Sequence, residues 1–187
     1  MSLMGYKYKK GFTLVELVMV IVIIGIIAVP GSFLMQYLIQ SSVFIPKQLN
    51  VDMLAADALD IMIEGDSQAK GLRFSRNITN IQPNEVTFNN QDNQSIRYSL
   101  VGNKLYRSIN TGADALIPYY IPATGVTVTG KNGTLFTYLD GSEATTAVVD
   151  NVRRIETALI AISGSGLSAD WDGRSEQSSS IAVKRFQ

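Results

Sequence analysis

The apolar residues are gathered at one end of the chain. From Leu17 to Pro46 there is no charged residue, and Leu17–Val29 is almost entirely Leu, Ile, Val, Met and Ala, with Gly25 the one exception. The run from Gly31 to Ile45 stays apolar, diluted by Gln36, Gln40 and three serines. Such a run is long enough to cross the roughly 30 Å hydrocarbon core of a bilayer as a helix. Gly25 and the many β-branched residues are poor helix formers in water. In lipid, however, the backbone must satisfy its own hydrogen bonds, so helix is the expected state. Pro30-Gly31 predicts a kink or a melted turn within it, and Pro46 a second bend or interruption. From Lys47 to about Glu64 the pattern turns amphipathic. Val51, Leu54, Ala55, Ala58 and Met62 share one face, and Asn50, Asp57, Asp60 and Glu64 another. Gly65 and then Gly71 are stop signals.

Beyond Gly71 the period changes to two. Glu85–Phe88, Ser95–Val101, Lys104–Ile109, Thr134–Leu139, Val152–Ser163 and Ser180–Phe186 read as strands. Ile96, Tyr98 and Leu100 alternate with Arg97 and Ser99, and Ile155, Thr157, Leu159 and Ala161 form another alternating set. Gly102-Asn103 between two such runs marks a tight hairpin. The expected class is α+β, with a long N-terminal helix packed on a small antiparallel sheet head.

Charge adds an orientation. The full chain balances 16 basic against 16 acidic residues, but Lys7, Lys9 and Lys10 precede the apolar run with no acid among them. That asymmetry places the N-terminus on the cytoplasmic side. No basic patch suggests nucleic acid. With no cysteine and no histidine, the chain has no disulfide, thiolate nucleophile, usual zinc site or Ser-His-Asp triad. Glu16 is the anomaly, since a carboxylate in hydrocarbon is costly unless it finds a partner. An acid at the edge of the run, snorkelling to the headgroups, is the plainer account.

Lys9-Lys10-Gly11-Phe12-Thr13-Leu14-Val15-Glu16, followed by the apolar run, resembles the processing site of type IV prepilins and type II secretion pseudopilins. The resemblance implies cleavage between Gly11 and Phe12 by a membrane prepilin peptidase, which then N-methylates Phe12. It implies four parts: a leader (1–11), a transmembrane and assembly helix (12–45), an amphipathic continuation (46–70) and a β-rich head (71–187). Glu16 becomes an assembly residue that pairs with the terminal amine of a neighbouring subunit's Phe12. Such a pair relieves a buried charge and sets the axial register. Pro30 looks like the helix-breaking proline common in this family. Removing residues 1–11 would leave 13 basic and 16 acidic side chains. A secretory signal peptide accounts for the basic start and apolar core but not for Glu16. A plain single-span anchor leaves Gly11 to Glu16 unexplained.

Further pieces resemble PilW-type minor pilins and J-type minor pseudopilins. They are Ala69–Arg73, Val86–Phe88, Ile96–Leu100, Leu105–Ser108, Phe136–Gly141 and Val152–Ile155. The implied role is a minor structural subunit of a pilus or secretion filament rather than an enzyme, needing no cofactor. It would start in the inner membrane, surrounded by lipid, and be extracted by an assembly ATPase and platform protein into a periplasmic or extracellular filament. Alternatives are the major pilin, or a pilin whose head binds a surface, sugar or DNA. The head offers little chemistry of its own. Asp170, Asp172 and Glu176 are the one calcium candidate, but their spacing does not match an EF-hand loop, and a solvated turn is the preferred reading. Trp171 is either an exposed adhesive residue or a buried anchor. Asn89–Gln94 reads as a hairpin loop.

Overall fold

The computed structural model describes residues 11–117, 125–164 and 172–183. These fall into two compact units, one ending at Val43 and the other beginning at Phe44. A single helix, α1 (Leu14–Ile63), runs from the first unit into the second. Helical structure is continuous through Pro30 and Pro46, which corrects the expectation of a melted or interrupted turn at either proline. Prolines are tolerated in apolar helices where neighbouring groups satisfy the freed backbone. Close to the first, the Ser32 hydroxyl donates to the Val29 carbonyl at 2.7 Å.

In the second unit, the predicted face of α1 is the buried one. Val51, Leu54, Ala55, Ala58 and Met62 are fully enclosed. The helix ends where Gly65 takes φ +95°, a conformation that favours glycine. A Cβ there would stand 2.2 Å from the Ala69 carbonyl oxygen.

Among the described residues, nine strands follow. The first sheet has the order β1-β2-β3-β4-β5, built from β1 (Ser75–Gln82), β2 (Glu85–Asn90), β3 (Ser95–Val101), β4 (Lys104–Ile109) and β5 (Ala115–Leu116), all antiparallel. The β3–β4 turn has both Gly102 and Asn103 at positive φ, +57° and +60°, as a primed two-residue hairpin turn requires. The second sheet centres on β8 (Arg154–Ser163). β6 (Val126–Gly130) and β7 (Phe136–Leu139) follow one another along one side of β8, and β9 (Arg174–Ala182) occupies the other. The predicted set Ile155, Thr157, Leu159 and Ala161 is buried against the same core as α1 and the first sheet.

Four differences from the sequence expectation stand out. β1, β5 and β6 are additional strands, and the last strand is Arg174–Ala182 rather than Ser180–Phe186. Residues 184–186, which completed the expected strand, lie outside the described residues.

Phenol groups tie the layers together. Tyr98 on β3 donates to the Ile61 carbonyl of α1 at 3.0 Å. Tyr138 on β7 donates to the carbonyls of Gln82 and Glu85, at 3.0 and 2.8 Å, on the β1–β2 hairpin. Burial pushes both hydroxyls above their ordinary pKa, so each serves as a neutral donor.

Candidate functional site

The first turn of α1 is where the sequence places its chemistry. Gly11 and Phe12 are exposed, Phe12 at 83%. Thr13 caps the helix. Its hydroxyl accepts from the Glu16 amide at 3.2 Å, while the Glu16 carboxylate accepts from the Thr13 amide at 3.0 Å and the Thr13 hydroxyl at 3.1 Å. The Thr13 carbonyl takes the first helical bond, from Leu17 at 3.1 Å. This is a capping box, in which side chains at the first and fourth positions satisfy each other's free amides. The sequence reading treated Glu16 as a buried charge awaiting a partner. The Thr-x-x-Glu spacing that signals this cap was present and was not used.

Behind the cap, the apolar half of α1 shows side chains all round. From Leu14 to Val43 the large apolar residues are about half exposed or more, with Val20 at 47% and Ile26 at 69%. A helix apolar on every side suits lipid or a bundle of like helices rather than water. Its serines carry no exposed donor cost. Ser32, Ser41 and Ser42 each donate back to a carbonyl three residues earlier, at 2.7 to 3.0 Å.

In the head, the two calcium candidates among the described residues pair with different partners. Asp172 lies 3.7 Å from Lys47, and Glu176 lies 2.7 Å from Lys131. Each carboxylate therefore faces its own ammonium group. Asp170 and Trp171 lie outside the described residues. Among the described residues, no three acidic side chains are placed to share a metal ion. A polar depression of about 640 Å³ is lined by Lys131, Thr134, Thr137, Glu156, Ser178 and Ser180. It brings serine hydroxyls near a carboxylate but no histidine, because the chain has none.

A buried ionic cluster escaped the sequence reading. Arg107 on β4 is 1% exposed and reaches Asp66 at 2.9 Å and the Gln68 side chain at 2.9 Å. It thereby pins the Gly65–Lys70 loop that joins α1 to the sheets. Asp66 also accepts from the Gln68 and Ala69 amides, at 2.9 and 3.2 Å. Burial works against its charged form. The hydrogen bond and charge of Arg107 and the two amides outweigh burial and hold the carboxyl below the usual range.

Comparison with known proteins bears on the N-terminal end. Residues 6–31 match the model of the prokaryotic N-terminal methylation motif. No curated protein and no solved structure matches the chain. The motif, confined to the N-terminal end, indicates a prepilin-like N-terminus and implies handling by a prepilin peptidase and assembly with other pilin subunits. The apolar helix, long enough to cross a bilayer, is consistent with membrane anchoring before assembly.

Proposed function

We propose that this chain is a minor pilin or pseudopilin of a type IV pilus or type II secretion filament. It is cut between Gly11 and Phe12, N-methylated on Phe12, and held in the inner membrane by residues 12–45 with its N-terminus cytoplasmic. An assembly ATPase and platform protein then draw it into the filament. The carrying observation is the methylation motif at residues 6–31, which runs into a helix whose apolar half is exposed on all sides.

In this reading the Thr13–Glu16 cap is the resting state of the anchored subunit. On docking, the Glu16 carboxylate exchanges Thr13 for the terminal amine of a neighbour's Phe12, a stronger, charge-assisted partner. Pro30 supplies a bend in a helix that is otherwise unbroken.

Quantitative mass spectrometry of sheared filaments tests the reading. A methylated Phe12 terminus at trace copy number is expected. The same terminus as the dominant species would make this the major pilin, and an uncut chain confined to membranes would leave only a single-span anchor. Gly11→Val is expected to leave the precursor uncut, and normal processing of that variant would sink the cleavage assignment.

A further inference from the structure

The outer face of the second sheet is hollowed. Ile155, Thr157 and Leu159 of β8 are buried, so Glu156 and Ala158 between them point away from the core. Register sets Thr137 of β7 and Ser180 of β9 on either side of Glu156, and Ser178 beside Ala158. β6 ends at Gly130 and β7 begins at Phe136, and the turn between them flanks Ala158, whose carbonyl accepts from the Lys131 amide at 3.2 Å. The small side chain of Ala158 thus forms the floor of the depression of about 640 Å³. From that turn Lys131 reaches across β8 to Glu176 on β9, at 2.7 Å, and closes one end with a neutral pair.

The rest of this lining is uncommitted. Among the described residues, the side chains of Asn132, Thr134, Thr137, Glu156, Ser178 and Ser180 make no hydrogen bond or ion pair. Thr134 and Thr137 are also one wall of a second hollow, of about 350 Å³, whose lining includes Ile81, Pro83, Phe136, Tyr138 and Ala147. The Tyr138 hydroxyl is already engaged by the Gln82 and Glu85 carbonyls, so this hollow presents mainly carbon. Two hollows therefore share a wall. One offers hydroxyls, an amide and an unpaired carboxylate, and the other an apolar surface.

This chemistry selects the occupant. Lys131 and Glu176 cancel, which leaves Glu156 as the net charge, so a phosphate or sulfate is repelled. A wholly apolar ligand would strip water from the polar groups and give them no partner. Neutral hydroxyls, by contrast, both donate to and accept from Ser, Thr and Asn side chains, and a carboxylate accepts from two of them at once. A small apolar substituent beside those hydroxyls suits the adjoining hollow. Both properties meet in an N-acetylated sugar, and both volumes are of the size usual for small-molecule sites. We propose that this face of the head binds an N-acetylated saccharide, with ring hydroxyls on Glu156, Ser178 and Ser180 and the acetyl methyl group past Thr137 in the apolar hollow. The inference rests on the head alone and stands whether or not the filament role above is correct.

Titration calorimetry on the full chain, in a detergent without a sugar headgroup, tests it with three probes. These are the trimers of N-acetylglucosamine, glucose and glucosamine. The N-acetylglucosamine trimer should bind tightest. Glu156→Gln keeps the shape of the site and removes its charge, and should weaken that binding about tenfold. Ala158→Phe fills the floor and should abolish binding of all three. Ala147→Phe fills the apolar hollow instead. It should remove the preference for the N-acetylglucosamine trimer over the glucose trimer and leave glucose-trimer affinity as it was. None of the three positions belongs to the core, so melting temperatures should match the parent's, which separates lost binding from lost folding. Three results would each overturn the proposal: no binding of the N-acetylglucosamine trimer by the parent, equal affinity for the N-acetylglucosamine and glucose trimers, or binding that survives Ala158→Phe. Tightest binding of the cationic glucosamine trimer would also overturn it, by making Glu156 a site for amines.

Discussion

Glu16 has two duties that a conservative substitution separates. Glutamine serves the fourth position of a capping box nearly as well as glutamate, but it cannot answer a neighbour's ammonium group with charge. Glu16→Gln should therefore keep the first turn of α1 as protected from amide exchange in detergent as in the parent. Incorporation into filaments should still fall toward that of Glu16→Ala. If Gln and parent enter filaments equally, the carboxylate matters only as a cap. The Gly11–Glu16 motif was legible at this scale because its chemistry is local in sequence. The Asp66–Arg107 pair was not, since the partners lie far apart along the chain and meet only through β4. Its worth is open to measurement. Asp66→Asn removes the charge facing a buried guanidinium and should cost about 2–3 kcal/mol in unfolding of the full chain. The sign of its pH dependence follows from its depressed pKa in the fold. Its contribution is complete above the unfolded carboxyl value of about 3.9 and fades as pH falls through the lower folded value. Melting from pH 7 to pH 3 should therefore fall more steeply for the parent than for Asp66→Asn.

Individual elements depend on a few positions. Gly65→Ala would place a methyl group against the Ala69 carbonyl in a left-handed conformation. A loss of about 1–3 kcal/mol is expected in denaturant unfolding. The strands with apolar alternation, β3, β4 and β8, were readable because each has one face on the core. β9 was misplaced because the inward residues of its first half are Ser175, Gln177 and Ser179, so no hydrophobic period marks it. Register with β8 defines that strand, and register is not written in its own residues. β1 was hidden for a related reason, since Ile78 is its only fully buried apolar residue and its pairing shifts register twice.

The head as a whole is stabilised by one continuous core rather than by cross-links. With no disulfide available, helix and sheets depend on side chains such as Leu54, which is fully buried. Leu54→Ala should cost about 2–5 kcal/mol, through lost transfer energy and the cavity left behind. Thermal unfolding of the full chain in detergent measures it. A loss below about 1 kcal/mol would show that α1 adds little to the core.

The polar links between α1 and the sheets also have a mechanical consequence. Gln48 is tied to the backbone of β9 near the start of the packed helical segment, and Ile61 is tied to Tyr98 near its end. The two points stand about 20 Å apart along the helix axis, and the Arg107–Asp66 pair holds the loop beyond it. A pull along the stem would load these fastenings side by side, together with the apolar contacts between them. Shear of that kind demands nearly simultaneous rupture, whereas peeling would break one link at a time. The head is thus built to bear tension delivered through its own helix.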